Sequence, residues 1–206
     1  MRPLRTGGTV PAMALPAPAD PAAPGRYTVE RYLRLAGQGV LAPEDRVELL
    51  EGVVVAMSPR NPLHDTAVSL ADRALMAAVG GRAAVRCQLS LVIAPHSVPE
   101  PDVAVVPGHE GDYARAHPGS ALLVVEVADS TLAQDRITKA AVYASAGIPE
   151  YWLVNLRDDR IEVFREPDAA AARYGVASVA GRGERLDLVA LPGASVLADD
   201  LLPARQ

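Results

Sequence analysis

Two carboxylates interrupt the most apolar stretches of the chain. Asp102 follows Pro99-Glu100-Pro101 and opens the run Val103–Val106. Glu126 stands between Val125 and Val127, inside the run Leu122–Val127. A charged group in such surroundings is costly unless it is paired or bound to a cation. The 24 residues from 102 to 126 leave room for one loop and a return strand beside the first. Two carboxylates brought side by side in this way offer hard oxygen donors suited to Mg²⁺. Downstream, Asp135, Lys139 and Tyr143 recur every four residues and so share one helix face. If that face leans over the strand end, the Lys139 ammonium approaches the carboxylates. There it would orient or deprotonate water and stabilise charge on a phosphate. Spacing alone leaves ordinary readings open: Glu126 as an edge-strand partner of an arginine, Asp102 as a turn residue after proline, and Asp135–Lys139 as a simple i,i+4 pair.

These residues need elements to hold them. Leu122–Val127 is nearly continuous in apolar residues, as a central strand covered on both faces would be. Asp129, Ser130 or Thr131 can cap the next helix, about Leu132 to Ala146, which ends at Gly147 and Pro149. Ile137, Ala140, Ala141 and Ala144 occupy the positions opposite Lys139. Near the start of the ordered chain, Val29, Tyr32, Leu33 and Leu35 predict a short amphipathic helix. Thr28 is its N-cap, and it ends near Gly37–Gly39. Arg46–Leu50 and Val53–Ser58 flank Glu51-Gly52 as a hairpin, closed by Pro59 and Pro62. Asp65–Val79 has a helical period and stops at Gly80-Gly81. Ala83–Ala94 reads as one long strand. Tyr151–Asn155 and Ile161–Arg165 read as two more, joined by Arg157-Asp158-Asp159-Arg160. Weaker strand signals follow around 174–179 and 185–196. This order predicts a mixed sheet with helices against it, not a regular βαβ array.

With 206 residues, half of them hydrophobic, the chain can build one cored domain, expected over residues 26–206. Residues 1–25 hold six prolines and read as a flexible Pro/Ala-rich tail. Arg2 and Arg5 mimic a signal n-region, but Pro11, Pro16 and Pro18 break the apolar segment that should follow. The single cysteine, Cys87, excludes an intrachain disulfide and fits a reducing cytoplasm. No apolar run approaches the roughly 20 residues that span a bilayer. The net charge of −5 runs against tight nucleic-acid binding. Arg60, Arg73, Arg82 and Arg86 are scattered rather than clustered. An acidic balance is still compatible with a metal-dependent phosphodiesterase, because the ion restores positive charge locally. There is no Gly-x-Ser-x-Gly elbow, no His near Cys87 in sequence and no Gly-rich phosphate loop. Nucleophilic and nucleotide-dependent hydrolases are therefore disfavoured.

Several stretches occur together in order: Val47-Glu48-Leu49-Leu50-Glu51-Gly52 with Met57-Ser58-Pro59, Pro99-Glu100-Pro101-Asp102, Val124-Val125-Glu126-Val127, then Asp135-Arg136, Lys139, Tyr143-Ala144 and Gly147-Ile148-Pro149-Glu150-Tyr151-Trp152. In this combination the chain resembles the Uma-two family of restriction-endonuclease-like proteins, within the PD-(D/E)XK nuclease superfamily, over about residues 27–166. The resemblance implies an α/β (α+β) fold with a restriction-endonuclease-like mixed β-sheet flanked by helices. It also implies an endonuclease that hydrolyses DNA phosphodiester bonds with Mg²⁺, or Mn²⁺ in its place. Asp102 matches the motif Asp and Glu126 its second carboxylate. The simplest motif has Lys two residues after the acid, but Ala128 stands there, and Lys139 matches a lysine delivered from the following helix. Glu48 matches a further metal-binding acid, and the Val127 carbonyl would complete the shell. Gln88 resembles a recurring polar position near the site, or is a strand-surface residue. His64 contacts phosphate or caps the next helix, and the cap is the simpler role with no partner in view. Tyr143 lines the site or packs in the core, while Tyr151 and Trp152 read as strand core. His96, His109 and His117 receive no role. A homodimer is expected by analogy, because cutting both strands together takes two sites. The alternative is a catalytically silent nuclease fold serving as a binding or interaction module.

Overall fold

The computed structural model describes residues 26–204, and the expected tail over residues 1–25 lies outside the described residues. Helix α1 (Val29–Gly37) starts at Thr28, whose side chain accepts the Arg31 N–H. It buries Val29, Tyr32 and Leu35 against the antiparallel hairpin of β1 (Val47–Leu50) and β2 (Val53–Ala56). Leu33, expected on the apolar face, is 39% exposed, because residue 33 points away from the 29/32/35 stripe. Helix α2 spans Pro62–Val79. Pro62, expected to close the hairpin, instead begins this helix, where its missing N–H costs nothing. Asn61 caps the helix by accepting the His64 N–H, and Gly80 ends it in the left-handed conformation at φ +58°, as a C-terminal glycine does.

The centre of the fold is a six-stranded mixed sheet in the order β3-β4-β5-β6-β7-β8. Its strands are β3 (Ala84–Cys87), β4 (Val103–Val106), β5 (Leu123–Ala128), β6 (Glu150–Asn155), β7 (Arg160–Asp168) and β8 (Arg173–Ala180). Only β5 and β6 run parallel, and the crossover between them is helical. Every residue of β5 and of β6 is buried, which accounts for their unbroken apolar runs. A small antiparallel pair, β9 (Arg185–Asp187) with β10 (Ser195–Leu197), replaces the single weak signal read over 185–196. The long strand read over Ala83–Ala94 is a correction: β3 stops at Cys87. Gln88 takes φ +51°, a turn out of the extended region, and the chain leaves the ladder there.

The crossover helix consists of α3 (Leu132–Gln134), one π-turn over Asp135–Lys139 and α4 (Ala140–Ser145), continuous in sequence. The plain α-period read over 132–146 missed the π-turn. The face carrying Asp135, Lys139 and Tyr143 is buried against the sheet and Ile137 is 71% exposed, but Ala140 and Ala144, read as lying opposite, are buried as well. One sheet face packs on α2 and the C-terminal segment, and the other packs on α4, with Tyr143, Ile148 and Tyr151 at its centre. Among the described residues no helix is long and apolar enough to cross a membrane.

Candidate functional site

The sheet register sets the two carboxylates side by side. Val103 pairs with Val125 across the antiparallel β4–β5 ladder. One step further, Asp102 stands opposite Glu126. Asp102 Oδ2 accepts the Val127 N–H at 2.9 Å, and Oδ1 accepts from Gln88 Nε2 at 3.3 Å. The left-handed turn at Gln88 thus carries its amide onto the site. His64 comes from the first turn of α2, its Nε2 3.3 Å from Asp102 Oδ2. Asn61, not His64, is the helix cap, and the His64 ring is turned to Asp102 instead. Asn61 Nδ2 also donates to Asp129 Oδ2 at 3.0 Å, tying the start of α2 to the end of β5.

The crossover helix supplies the cation. Lys139 Nζ donates to Glu126 Oε1 at 3.0 Å and lies 3.4 Å from Glu48 Oε1. The Tyr143 hydroxyl donates to the same Glu126 Oε1 at 2.6 Å. Glu126 Oε2 is left without a protein donor among the described residues. Glu48 reaches the site from β1, and its Oε2 accepts the Glu100 N–H at 3.2 Å. In the π-turn the Ala140 N–H donates to Asp135 O, and the Tyr151 hydroxyl donates to the same carbonyl at 3.2 Å. Such a turn inserts one residue relative to α-spacing and recurs at functional sites. Here it buries Asp135 and Lys139 together beneath the cavity.

The electrostatics are dominated by burial. Burial pushes the Glu126 carboxyl well above the usual glutamate range. Lys139 opposes that rise, and Asp102, Asp135 and Glu48 reinforce it. Asp135 is likewise raised, first by burial. Burial alone would lower Lys139, but Glu126, Glu48 and Asp135 outweigh it and hold it as an ammonium. For Asp102, burial pulls upward, yet the His64 hydrogen bond and charge and the Val127 N–H leave it below its usual value. The Asp102 hydrogen bond in turn raises His64 against burial.

These groups line one cavity of about 70 Å³ that includes Glu48, His64, Asp102, Glu126, Asp135 and Lys139. Val127 also lines it, although the contact seen is through its N–H, not its carbonyl. Gln88 and Tyr143 touch the carboxylates from behind. Arg46, Arg60 and Asp135 belong to the cavity but were not picked out as site residues. Asp135 had a signal, its four-residue spacing from Lys139, whereas the arginines had none, since cavity mouths are made by long-range packing. Among the described residues, no three His, Cys, Asp or Glu side chains converge at metal-binding spacing. The Lys139 ammonium sits between Glu48 and Glu126. In donor type and charge the site nevertheless fits a hard divalent cation: the four carboxylates Glu48, Asp102, Glu126 and Asp135 outnumber the ammonium of Lys139 and the imidazole of His64 that pair with them.

A crystal structure from Anabaena variabilis, titled as that of "a putative nuclease belonging to DUF820", is similar at TM-score 0.68 and 17% identity. The match covers 85% of this chain and 97% of that one. At that identity the likeness speaks for the fold, a nuclease-type mixed sheet flanked by helices. No curated protein matches the chain. The profile of the Uma2 family, described as "Putative restriction endonuclease", matches residues 29–201, and the chain belongs to that family.

Proposed function

We propose that the protein is a Mg²⁺-dependent endonuclease acting on DNA. The observation that carries this reading is the surplus of buried carboxylate around Lys139, with Asp102 opposite Glu126 on adjoining strands. Asp102, Glu126 and Glu48 would hold the Mg²⁺, with Mn²⁺ as an alternative. A bound ion of this kind polarises a phosphate and lowers the pKa of a coordinated water. The chain's own residues do the positioning. Lys139 and Tyr143 both engage Glu126 Oε1, which aims Oε2 at the cavity. Gln88, His64 and the Val127 N–H fix the Asp102 carboxylate. Lys139, held as an ammonium, contributes positive charge where phosphate oxygens would gather rather than acting as a base. Asp102→Asn should abolish Mg²⁺-stimulated cleavage of supercoiled plasmid DNA while circular dichroism shows an intact fold. Cleavage retained at the wild-type rate would rule the assignment out.

A second reading is a catalytically silent member of the fold that binds a partner. It is favoured by the same Lys139 ammonium, which already bridges Glu48 and Glu126, and by the absence of converged ligands among the described residues. Calorimetric Mg²⁺ titration separates the two. Heat seen with wild type and lost in Glu126→Gln supports the nuclease, and no heat with either supports the silent protein.

A further inference from the structure

The carboxylate cavity does not end at its mouth. A second recess of about 440 Å³ adjoins it. The two share Arg46, Met57, Arg60 and Glu100 as a common wall. The recess lies between α1 and the β1–β2 hairpin. Its far side is formed by Tyr32, Ala36, Leu41 and Ala42 and is apolar, whereas the shared wall is polar. The Tyr32 hydroxyl donates to Val47 O at 2.9 Å and takes no part in the recess as a polar group. The polar character sits at the junction. Arg60 is only loosely paired, 3.7 Å from Glu100, with both side chains about a third exposed. The Arg46 carbonyl accepts the Met57 N–H at 2.8 Å, while its guanidinium makes no hydrogen bond among the described residues and acts on Glu100 through its charge. The Arg46 backbone is left-handed at φ +45°.

The combination differs in kind from the carboxylate cavity. One compartment is anionic, the far wall of the next is apolar, and two guanidiniums that share the Glu100 carboxylate stand between them. A guanidinium is the natural partner of a phosphate oxygen pair. An apolar recess beside it has no use for the outer face of a duplex, which presents sugar and phosphate. It suits a base that is not stacked in a helix, since every base has an apolar face to bury.

The geometry points to a nucleotide subsite: the recess takes the base of an unpaired nucleotide beside the phosphodiester at the carboxylates, and Arg46 and Arg60 bind the phosphate at the junction. This assignment rests on the nuclease reading for the neighbouring cavity. It makes single-stranded or frayed DNA the preferred substrate over closed duplex.

The test is fluorescence anisotropy of a short labelled single-stranded oligodeoxynucleotide, its blunt duplex and the matching RNA strand, with EDTA present so that no metal is required. The wild-type protein should bind the single DNA strand more tightly than the duplex. Arg46→Gln with Arg60→Gln should weaken that binding by about 10-fold and reduce its salt slope by roughly 1 to 2, as expected for one or two lost phosphate contacts. Ala36→Phe, which fills the recess from the exposed side of α1, should bring single-strand affinity down to the duplex level. Arg173→Gln, on exposed β8, should change nothing. Unchanged affinity and slope in the double arginine variant, or duplex bound as tightly as single strand, would overturn the subsite. Tighter binding of RNA would overturn the DNA assignment. Calorimetric Mg²⁺ titration of the same proteins tests the metal reading separately, so loss of one result leaves the other standing.

Discussion

Two glutamates lie on the neighbouring parallel strands β5 and β6, and both are buried, Glu126 at 3% exposure and Glu150 at 0%. Their surroundings are opposite. Glu150 has every oxygen matched: Oε1 accepts from Trp152 Nε1 and Arg165 Nε, each at 2.8 Å, and Oε2 accepts the Val189 N–H at 2.9 Å. Glu126 has both its protein donors on one oxygen and three further carboxylates, Asp102, Asp135 and Glu48, nearby. A buried carboxylate with saturated partners is architecture, since removing it strands its donors. One buried with surplus negative charge is under-neutralised, and the fold tolerates that cost where a ligand is to bring charge of its own. Burial alone therefore separates nothing on this sheet. The balance of donors against acceptors does.

Removing each carboxyl charge in turn tests that contrast, and the largest effects belong here. Glu126→Gln should lose Mg²⁺-stimulated cleavage and Mg²⁺ binding while the melting temperature holds or rises. Glu150→Gln should do the reverse. It leaves Arg165 and the Val189 N–H facing an amide, at a cost of about 2–3 kcal/mol, discounted because Arg165 is partly exposed. That corresponds to roughly 5–10 °C in melting temperature for a chain of this size. Cleavage per folded molecule should stay at the wild-type level. A Glu150→Gln protein that melts normally but no longer cuts DNA would dissolve the distinction.

Tyr143 sharpens the comparison at a smaller scale. Its hydroxyl holds Glu126 Oε1 from the side away from the cavity. Tyr143→Phe keeps the ring packing against Tyr151, whose centroid lies 5.3 Å away, and removes only that bond. Groups that orient a metal ligand typically change metal affinity by about 10-fold or more. We expect about 10-fold weaker Mg²⁺ binding by calorimetry, with a loss of stability near 1 kcal/mol. Unchanged affinity alongside the same stability loss would make Tyr143 a packing residue only.

The parts of this site that the sequence discloses are those written in local pattern. The apolar run around Glu126, the proline-bounded Asp102 and the four-residue spacing of Lys139 and Tyr143 each follow from chain-neighbour chemistry, and the structure joins them as that pattern implies. What stays hidden depends on distant partners. The π-turn over Asp135–Lys139 has no sequence period of its own. It is supported by Tyr151 from another strand. Lys139 is buried and Ile137, opposite it, is 71% exposed, because Glu126 and Glu48 attract the ammonium inward. Gln88 leaves an apparently continuous strand at a single left-handed residue, and His64 reaches Asp102 across the chain. Each is a tertiary contact overriding a local preference.

The smallest effect is the pH dependence of stability, and its sign distinguishes the two facing carboxylates, Glu126 and Asp102. The Glu126 carboxyl titrates higher in the folded chain than in the unfolded one. Between those two values the folded state binds more protons, so this group's contribution to stability is present at low pH and is lost as pH rises. Glu126→Gln removes that titration. Its stability relative to wild type should therefore increase as pH climbs from the ordinary glutamate value of 4.5, measured by urea denaturation across a pH series. Asp102 runs the other way. Its folded value is depressed, so the stability it contributes is present above the ordinary aspartate range and fades as pH falls through the folded value. The deficit of Asp102→Asn should accordingly shrink in acid. A Glu126→Gln protein that loses ground to wild type with rising pH would mean that Lys139 and Tyr143 neutralise Glu126 completely. The site would then hold no surplus charge for a cation to relieve.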